Sequence, residues 1–185
     1  GLIINYTVFM AFGEVTCMIF GGLSPAFTKW VGSKRMAFFW SALLCFGLSV
    51  AFFFIPMSPV YIWVMIALVV LTSIGIGIYS PLMWSMYADV ADYHTEHFGT
   101  SATGLIFSSG TMSQKFGTAI SGSLIALFLG WAGANMITDK MGNTVIDPTS
   151  ITDSVLVMVW SLFSLFPAVI AFLLMVLAYK FPIKK

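Results

Sequence analysis

Five long apolar segments follow one another along the chain and are separated by polar ones. They cover residues 3–27, 36–55, 60–87, 101–131 and 153–179. Each supplies the roughly 20 apolar residues that one membrane-spanning helix requires. None shows the alternation of apolar and polar residues that is typical of a barrel strand. The pattern therefore predicts an all-α integral membrane protein with five transmembrane helices.

The composition supports a membrane protein and excludes several other classes. Of the 185 residues, 59% are hydrophobic and 8% are charged, with a mean hydropathy of +0.99. A soluble domain carries about 25% charged residues, so a single core in water would leave too much apolar surface uncovered. The net charge of +1 is too small to attract nucleic acid. A soluble enzyme, a disordered segment and a nucleic-acid binder are therefore not expected.

Motifs of enzymes and metal sites do not change this interpretation. The chain has no phosphate-binding loop, no HExxH sequence and no nucleophile elbow. His94 and His97 lie three residues apart, but no further ligand follows at a suitable spacing. We expect neither an enzyme, nor a metal site, nor a cofactor.

The distribution of lysine and arginine predicts the orientation in the membrane. Six of these residues lie in two segments that five crossings would place on one side, namely Lys29, Lys34, Arg35, Lys180, Lys184 and Lys185. The opposite side carries only Lys140. Because positive residues concentrate on the cytoplasmic side, we expect the C-terminus inside and the N-terminus outside.

Lys115 carries a charge at a position in the membrane that is energetically unfavourable. It lies about 18 Å from the start of the fourth segment at 1.5 Å per residue, near the middle of a bilayer. A lysine there costs on the order of 2.5–3.5 kcal/mol, so it is expected to face a cavity or a partner. Small and polar residues share its helical face: Gly104, Ser108, Thr111, Thr118 and Gly122. This stripe predicts the wall of an aqueous or substrate cavity, and the alternative is close packing of helices through small residues.

Carboxylates raise two further hypotheses. Glu14 lies near the middle of the first segment and could be a buried charge that is protonated, paired or in contact with a coupling cation, or it could be purely structural. Asp89 and Asp92 follow the third segment, on the side expected to hold Lys34 and Arg35. They predict a cytoplasmic charge lock that opens and closes, with an ordinary solvated loop as the alternative.

Several motifs together resemble one transporter family. In chain order they are Ala88-Asp89-Val90-Ala91-Asp92-Tyr93, Gly104-Leu105-Ile106-Phe107-Ser108 and Gln114-Lys115-Phe116-Gly117. They resemble the glycoside–pentoside–hexuronide cation symporters, the melibiose-permease-like members of the major facilitator superfamily, which have twelve helices. In that family an A-D-x-x-D-Y element ends helix 10, and a lysine in helix 11 follows a glycine-rich stretch. The basic loop from Trp30 to Arg35 is similar to the loop between helices 8 and 9.

The resemblance implies a C-terminal half in which residues 1–185 supply helices 8–12. It implies sodium- or proton-coupled symport of a sugar by alternating access, in the bacterial inner membrane. Lys115 and Thr111 match residues near the sugar and cation sites, and Ser108 and Thr118 extend their face. The implied partners are the sugar, the coupling cation, the lipid bilayer and an N-terminal half with helices 1–7, which carries the acidic cation site.

The chain also departs from the family pattern. Ser101 stands where an arginine is usual, Gly110 where the permease has a glutamine, and Ser80 where it has a tryptophan that contacts sugar. The first departure implies that the charge lock is formed differently, and the last two argue against melibiose itself. Tyr79 and Trp84 could offer an aromatic face to another sugar. A carrier of a non-sugar solute and a membrane scaffold without transport are the alternatives.

Overall fold

The computed structural model describes residues 6–55, 59–138 and 144–181. Five helices account for most of them: α1 (Tyr6–Val31), α2 (Lys34–Phe53), α3 (Ile62–Phe98), α4 (Thr103–Trp131) and α5 (Asp153–Lys180). Between α4 and α5 lies an antiparallel hairpin of β1 (Met136–Thr138) and β2 (Thr144–Ile146). Short 3₁₀ turns at Pro59–Tyr61 and Pro148–Ser150 precede α3 and α5. The predicted all-α class is confirmed.

The described helices differ in how well they suit a membrane. Three of them, α2, α5 and the Trp63–Phe98 part of α3, are long and apolar enough to cross one. The other two are also long, with 26 residues in α1 and 29 in α4, and so exceed the roughly 30 Å of a hydrocarbon core. However, α4 carries five glycines and eight serines and threonines, which lower its hydropathy. Five crossings therefore stay a prediction.

The third helix is longer than predicted. The polar residues 88–100 between the third and fourth apolar segments predict a loop, but residues 88–98 continue α3 to Phe98. No glycine or proline interrupts this segment, and the charge of Asp89 is neutralised by Lys34. The helix ends at Gly99, whose φ of 68° lies in the left-handed region and whose N–H donates to the Thr95 carbonyl.

Close approach through glycine joins α3 to two neighbouring helices. A Cβ at Gly77 would lie 2.6 Å from the carbonyl oxygen of Cys17 on α1, and one at Gly75 would lie 2.5 Å from Cys45 Sγ on α2. The buried Ser24 hydroxyl of α1 also donates to the Ile78 carbonyl at 3.0 Å. Around these contacts lies the core, formed by Ala37, Phe38, Ile78, Leu82 and Ala178. Helix α5 packs against α2 on the far side.

The bundle has two distinct ends. At one, here called the Lys34 end, the turn between α1 and α2 meets the last turns of α3 and α5 through Lys34 and Arg35. At the other, here called the hairpin end, Leu129, Ala134 and Val155 form a small second core beside the β-hairpin. The Thr152 hydroxyl caps α5 there by accepting from the Val155 N–H.

Candidate functional site

Helix α4 touches the other helices near its two ends. Near its start the Phe107 ring stacks on Trp84 at 6.2 Å between centroids and meets Tyr87 edge-on at 6.3 Å. Near its end Phe128 packs against Phe166 at 5.1 Å. All residues from 111 to 127 are exposed. The middle of α4 therefore stands away from the other described helices.

Lys115 lies in this exposed part of α4. Among the residues that the structure describes, its ammonium has no ion-pair or hydrogen-bond partner. The hydroxyl groups on its face are bonded to their own helix. Ser108 donates to the Leu105 carbonyl at 3.0 Å, Thr111 to that of Phe107 at 2.9 Å and Thr118 to that of Lys115 at 2.8 Å.

These bonds decide what the stripe offers to a ligand. Because each hydroxyl hydrogen is used within the helix, the oxygens present lone pairs as acceptors. Lys115 adds three N–H donors and a positive charge. The stripe can therefore bind a molecule that both donates and accepts hydrogen bonds, and it adds no carboxylate that could hold a cation.

Tyr79 and Trp84 do not form one aromatic face. The Tyr79 ring lies 5.7 Å from that of Phe38 on α2, measured between centroids, and Tyr79 packs against the core. Trp84 instead lies beside Phe107 of α4. Five helical residues turn through about 140°, which explains why the two rings meet different neighbours. Of the two, Trp84 is the one placed near the stripe.

Gly110 and Tyr87 fix how α3 and α4 approach each other. A Cβ at Gly110 would lie 2.7 Å from Tyr87 Cε2, so the tyrosine ring occupies the space that a larger side chain would need. Neither Tyr87 nor this contact is predicted by the sequence pattern. A signal was available, since the missing glutamine at position 110 implies a vacant volume that a neighbour must fill.

The four residues of the expected charge lock have different partners. The Lys34 ammonium lies 2.8 Å from both carboxylate oxygens of Asp89, whose side chain is 13% exposed. Asp92 is exposed and has no ion pair within the described ranges. The Arg35 guanidinium donates to the Phe181 carbonyl at 3.4 Å and lies 5.6 Å from the centre of the Tyr179 ring. Lys34 thus links α2 to α3, whereas Arg35 links α2 to α5.

The Glu14 side chain is exposed on α1 among the described residues, and its burial in the membrane or against another part of the protein stays a prediction. Helix α1 turns Gly13, Gly21 and Ser24 toward α3, and Glu14 follows Gly13 by one residue, about 100° around the helix. The possible buried charge is therefore not buried against the described helices.

Other titratable groups do not form a metal site. Within the described parts of the chain, no three His, Cys, Asp or Glu side chains gather closely enough to hold a metal ion. In the turn before α5, the Thr149 backbone N–H donates to Asp147 at 2.9 Å and lowers the pKa of that carboxyl. This bond stabilises the 3₁₀ turn at the hairpin end.

Comparison with known proteins places the chain among membrane carriers. The inner membrane symporter YicJ of Escherichia coli is 28% identical over 177 residues, which is 94% of this chain and 36% of that protein. The putative glycoside/cation symporter YagG of the same organism is 30% identical over 125 residues, covering 68% of this chain and 26% of its own length. The glucuronide carrier protein homolog of Escherichia coli is 33% identical over 114 residues, 60% of this chain and 24% of that protein.

The chain spans between 24% and 36% of the length of these three relatives. No solved structure matches it. A model of the MFS/sugar transport protein family matches residues 4–185. This match covers all five helices and agrees with the names of the relatives, which are symporters and carriers and not enzymes. The chain belongs to the MFS/sugar transport protein family of the major facilitator superfamily.

Proposed function

We propose that the polypeptide containing this chain is a symporter that couples the entry of a sugar or glycoside to that of sodium or protons. Residues 1–185 supply helices 8–12 of its C-terminal half, in the bacterial inner membrane. The family match and the names of the relatives support this assignment. The observation that carries it is Lys115, an unpaired ammonium in the middle of a polar helix face that no other described helix covers.

The chemistry of that face suits a sugar. Sugar hydroxyls both donate and accept hydrogen bonds, and the face offers acceptors at Ser108, Thr111 and Thr118 with donors at Lys115. Trp84, near the start of α4, adds an aromatic ring on which apolar C–H groups of a sugar can pack. To bind a sugar specifically, this face of α4 then needs little more than a second wall opposite it.

We assign that second wall to the N-terminal half of the transporter. A substrate between two halves near the membrane midplane is the usual arrangement in secondary transporters. Carboxylates on that half would hold the coupling cation, and the positive charge of Lys115 would repel or release it. Through this electrostatic competition, Lys115 links cation occupancy to sugar occupancy.

We assign the gate to the Lys34 end of the bundle, which the distribution of lysine and arginine predicts to be cytoplasmic. In the described arrangement Lys34 and Asp89 are in contact, which holds α2 against α3. Asp92 is available for a pair with the other half, and Arg35 holds the end of α5. We infer that the Lys34–Asp89 pair stabilises the state closed to the cytoplasm.

Uptake measurements with Lys115 variants of the full-length protein test this proposal. Lys115→Ala should abolish concentrative uptake of labelled sugars into membrane vesicles with an imposed sodium or proton gradient. Its insertion should be intact, because removing a charge makes insertion easier. Lys115→Arg should rescue poorly, since a planar guanidinium does not reproduce the geometry of an ammonium. Lys180→Ala, which removes an exposed lysine at the end of α5, is the matched control and should transport like the parent.

Two outcomes would count against the proposal. Near-parental accumulation by Lys115→Ala would reduce the lysine to a structural residue. A parent protein that accumulates no sugar under either gradient, but does accumulate a different class of solute, would favour the non-sugar carrier.

A further inference from the structure

A groove lies on the exposed surface between the end of α1 and the start of α2. It has a volume of about 480 Å³ and is lined by Phe27, Trp30, Val31 and Trp40. Trp40 also lines a second depression of about 380 Å³, which continues along α2 past Leu43, Leu44 and Gly47 to Leu48. The two depressions share Trp40 as a lining residue, and together they are here called the α1–α2 groove.

The α1–α2 groove extends from the level of the membrane–water interface into the hydrocarbon, as a phospholipid does. Trp30 is the second-last residue of α1, and Trp40 lies about 9 Å into α2 at 1.5 Å per residue. Both indoles are well exposed, at 83% and 49% respectively. Tryptophan at this level is typical of the membrane–water interface. From Trp40 to Leu48 the groove descends by a further 12 Å or so, into the hydrocarbon, with apolar side chains throughout.

The charged residues near the α1–α2 groove at the Lys34 end of the bundle are positive. Residues 28–35 contain Lys29, Lys34 and Arg35 and no carboxylate. Lys34 is neutralised by Asp89, but Lys29 is exposed and has no carboxylate partner among the described residues. Arg35 contacts a carbonyl and an aromatic ring, neither of which cancels its charge. Lys29, which directly precedes Trp30, is therefore an uncompensated cation next to the groove, whereas the Arg35 guanidinium is directed to the end of α5.

We propose that the α1–α2 groove binds an anionic phospholipid, independently of the transported solute. The phosphate group lies among Lys29 and the two indoles, and one acyl chain follows α2 from Trp40 to Leu48. Basic residues beside transmembrane helices favour anionic headgroups. A zwitterionic choline lipid would place its own cation among these positive charges and binds less well.

Native mass spectrometry of the full-length protein tests the proposal. The protein is released from nanodiscs that contain equal amounts of phosphatidylglycerol and phosphatidylcholine, and the retained lipids are counted. The parent should retain phosphatidylglycerol in preference. Lys29→Gln should reduce this preference about fivefold, the factor expected for one lysine near an anionic surface. Trp40→Leu should reduce retention of both lipids, because it removes the ring that both parts of the groove share.

Trp131→Leu is the matched control, since Trp131 is an exposed tryptophan at the end of α4, outside the groove. Circular dichroism of each variant verifies that it is folded, and Trp40→Phe replaces any Trp40→Leu protein that is not. The proposal is overturned if the parent retains the two lipids equally, or if Lys29→Gln keeps the parental preference. It is also overturned if a protein segment, and no lipid, is found on the groove by cross-linking from position 40.

Discussion

The ion pair between Lys34 and Asp89 should stabilise the bundle measurably, and Asp89→Asn tests this. The substitution keeps the shape of the side chain but removes its charge, so the Lys34 ammonium loses two contacts of 2.8 Å. Asp92→Asn is a matched control, because it removes the same charge three residues later on α3 from an exposed side chain without an ion pair in the described structure.

The magnitude follows from the burial of the two side chains. At 2.8 Å and an effective dielectric constant of about 20, their attraction is about 6 kcal/mol, most of which is offset by lost hydration. Exposed pairs contribute about 0–1 kcal/mol, whereas breaking a fully buried pair costs about 3–5 kcal/mol. With exposures of 13% for Asp89 and 31% for Lys34, this pair lies between the two classes. We expect Asp89→Asn to cost about 2 kcal/mol and Asp92→Asn less than about 0.5 kcal/mol.

Thermal unfolding of the purified protein in detergent is a suitable assay. For a unit of about 200 residues, a loss of 2 kcal/mol lowers the melting temperature by about 4–8 °C, and the shift is smaller when the unit is part of a longer polypeptide. Lys34→Met combined with Asp89→Asn should be less destabilised than the sum of the two single variants, because the second change no longer leaves an unpaired buried charge. Equal melting temperatures for Asp89→Asn and Asp92→Asn would show that the pair adds nothing beyond ordinary surface charge.

Two further predictions concern the packing of the helices and their orientation. Gly77→Ala should cost about 1–3 kcal/mol in the same thermal assay, because its Cβ would meet the Cys17 carbonyl at 2.6 Å, while Gly22→Ala, with no atom in its way, should be neutral or slightly stabilising. With the C-terminus inside, a membrane-impermeant thiol reagent added outside intact cells should label a cysteine at position 142 and not one at position 33; the reverse labelling would overturn the proposed topology.

The sequence predicts the helices well because their lengths are set by the bilayer. Apolar runs of 20 residues or more leave little choice of secondary structure when no water is present to satisfy the backbone. The end of α3 is different, since residues 88–98 are polar and a solvated loop would also satisfy their backbone groups. In the structure they are helical, and Asp89 among them pairs with Lys34, which is 55 residues away along the chain. The distribution of charges predicts that Lys34 and Asp89 lie on one side of the membrane, but it does not predict that residues 88–98 are helical.

In the candidate site too, the sequence predicts what depends on helical spacing and not what depends on contacts between helices. Spacing alone places Ser108, Thr111 and Lys115 on one face, because the geometry of a helix is fixed. Whether Tyr79 and Trp84 reach that face depends on how α3 is rotated, which is determined by close contact at Gly77 and Gly75. The sequence contains these glycines but does not state which helix each one contacts.

The exposed middle of α4 is an energetic argument for a second wall. Lipid tails cannot satisfy the ammonium of Lys115, and leaving it in hydrocarbon costs on the order of 2.5–3.5 kcal/mol. The hydroxyl oxygens of Ser108, Thr111 and Thr118 keep lone pairs, but among the described residues none of them accepts a hydrogen bond from the Lys115 ammonium, so they relieve none of this cost. Structural packing of α4 against lipid would select an apolar residue at position 115. A charged residue is energetically favourable there only where water, a substrate or another half of the protein faces it. The transport proposal therefore depends on Lys115 more than on any other residue.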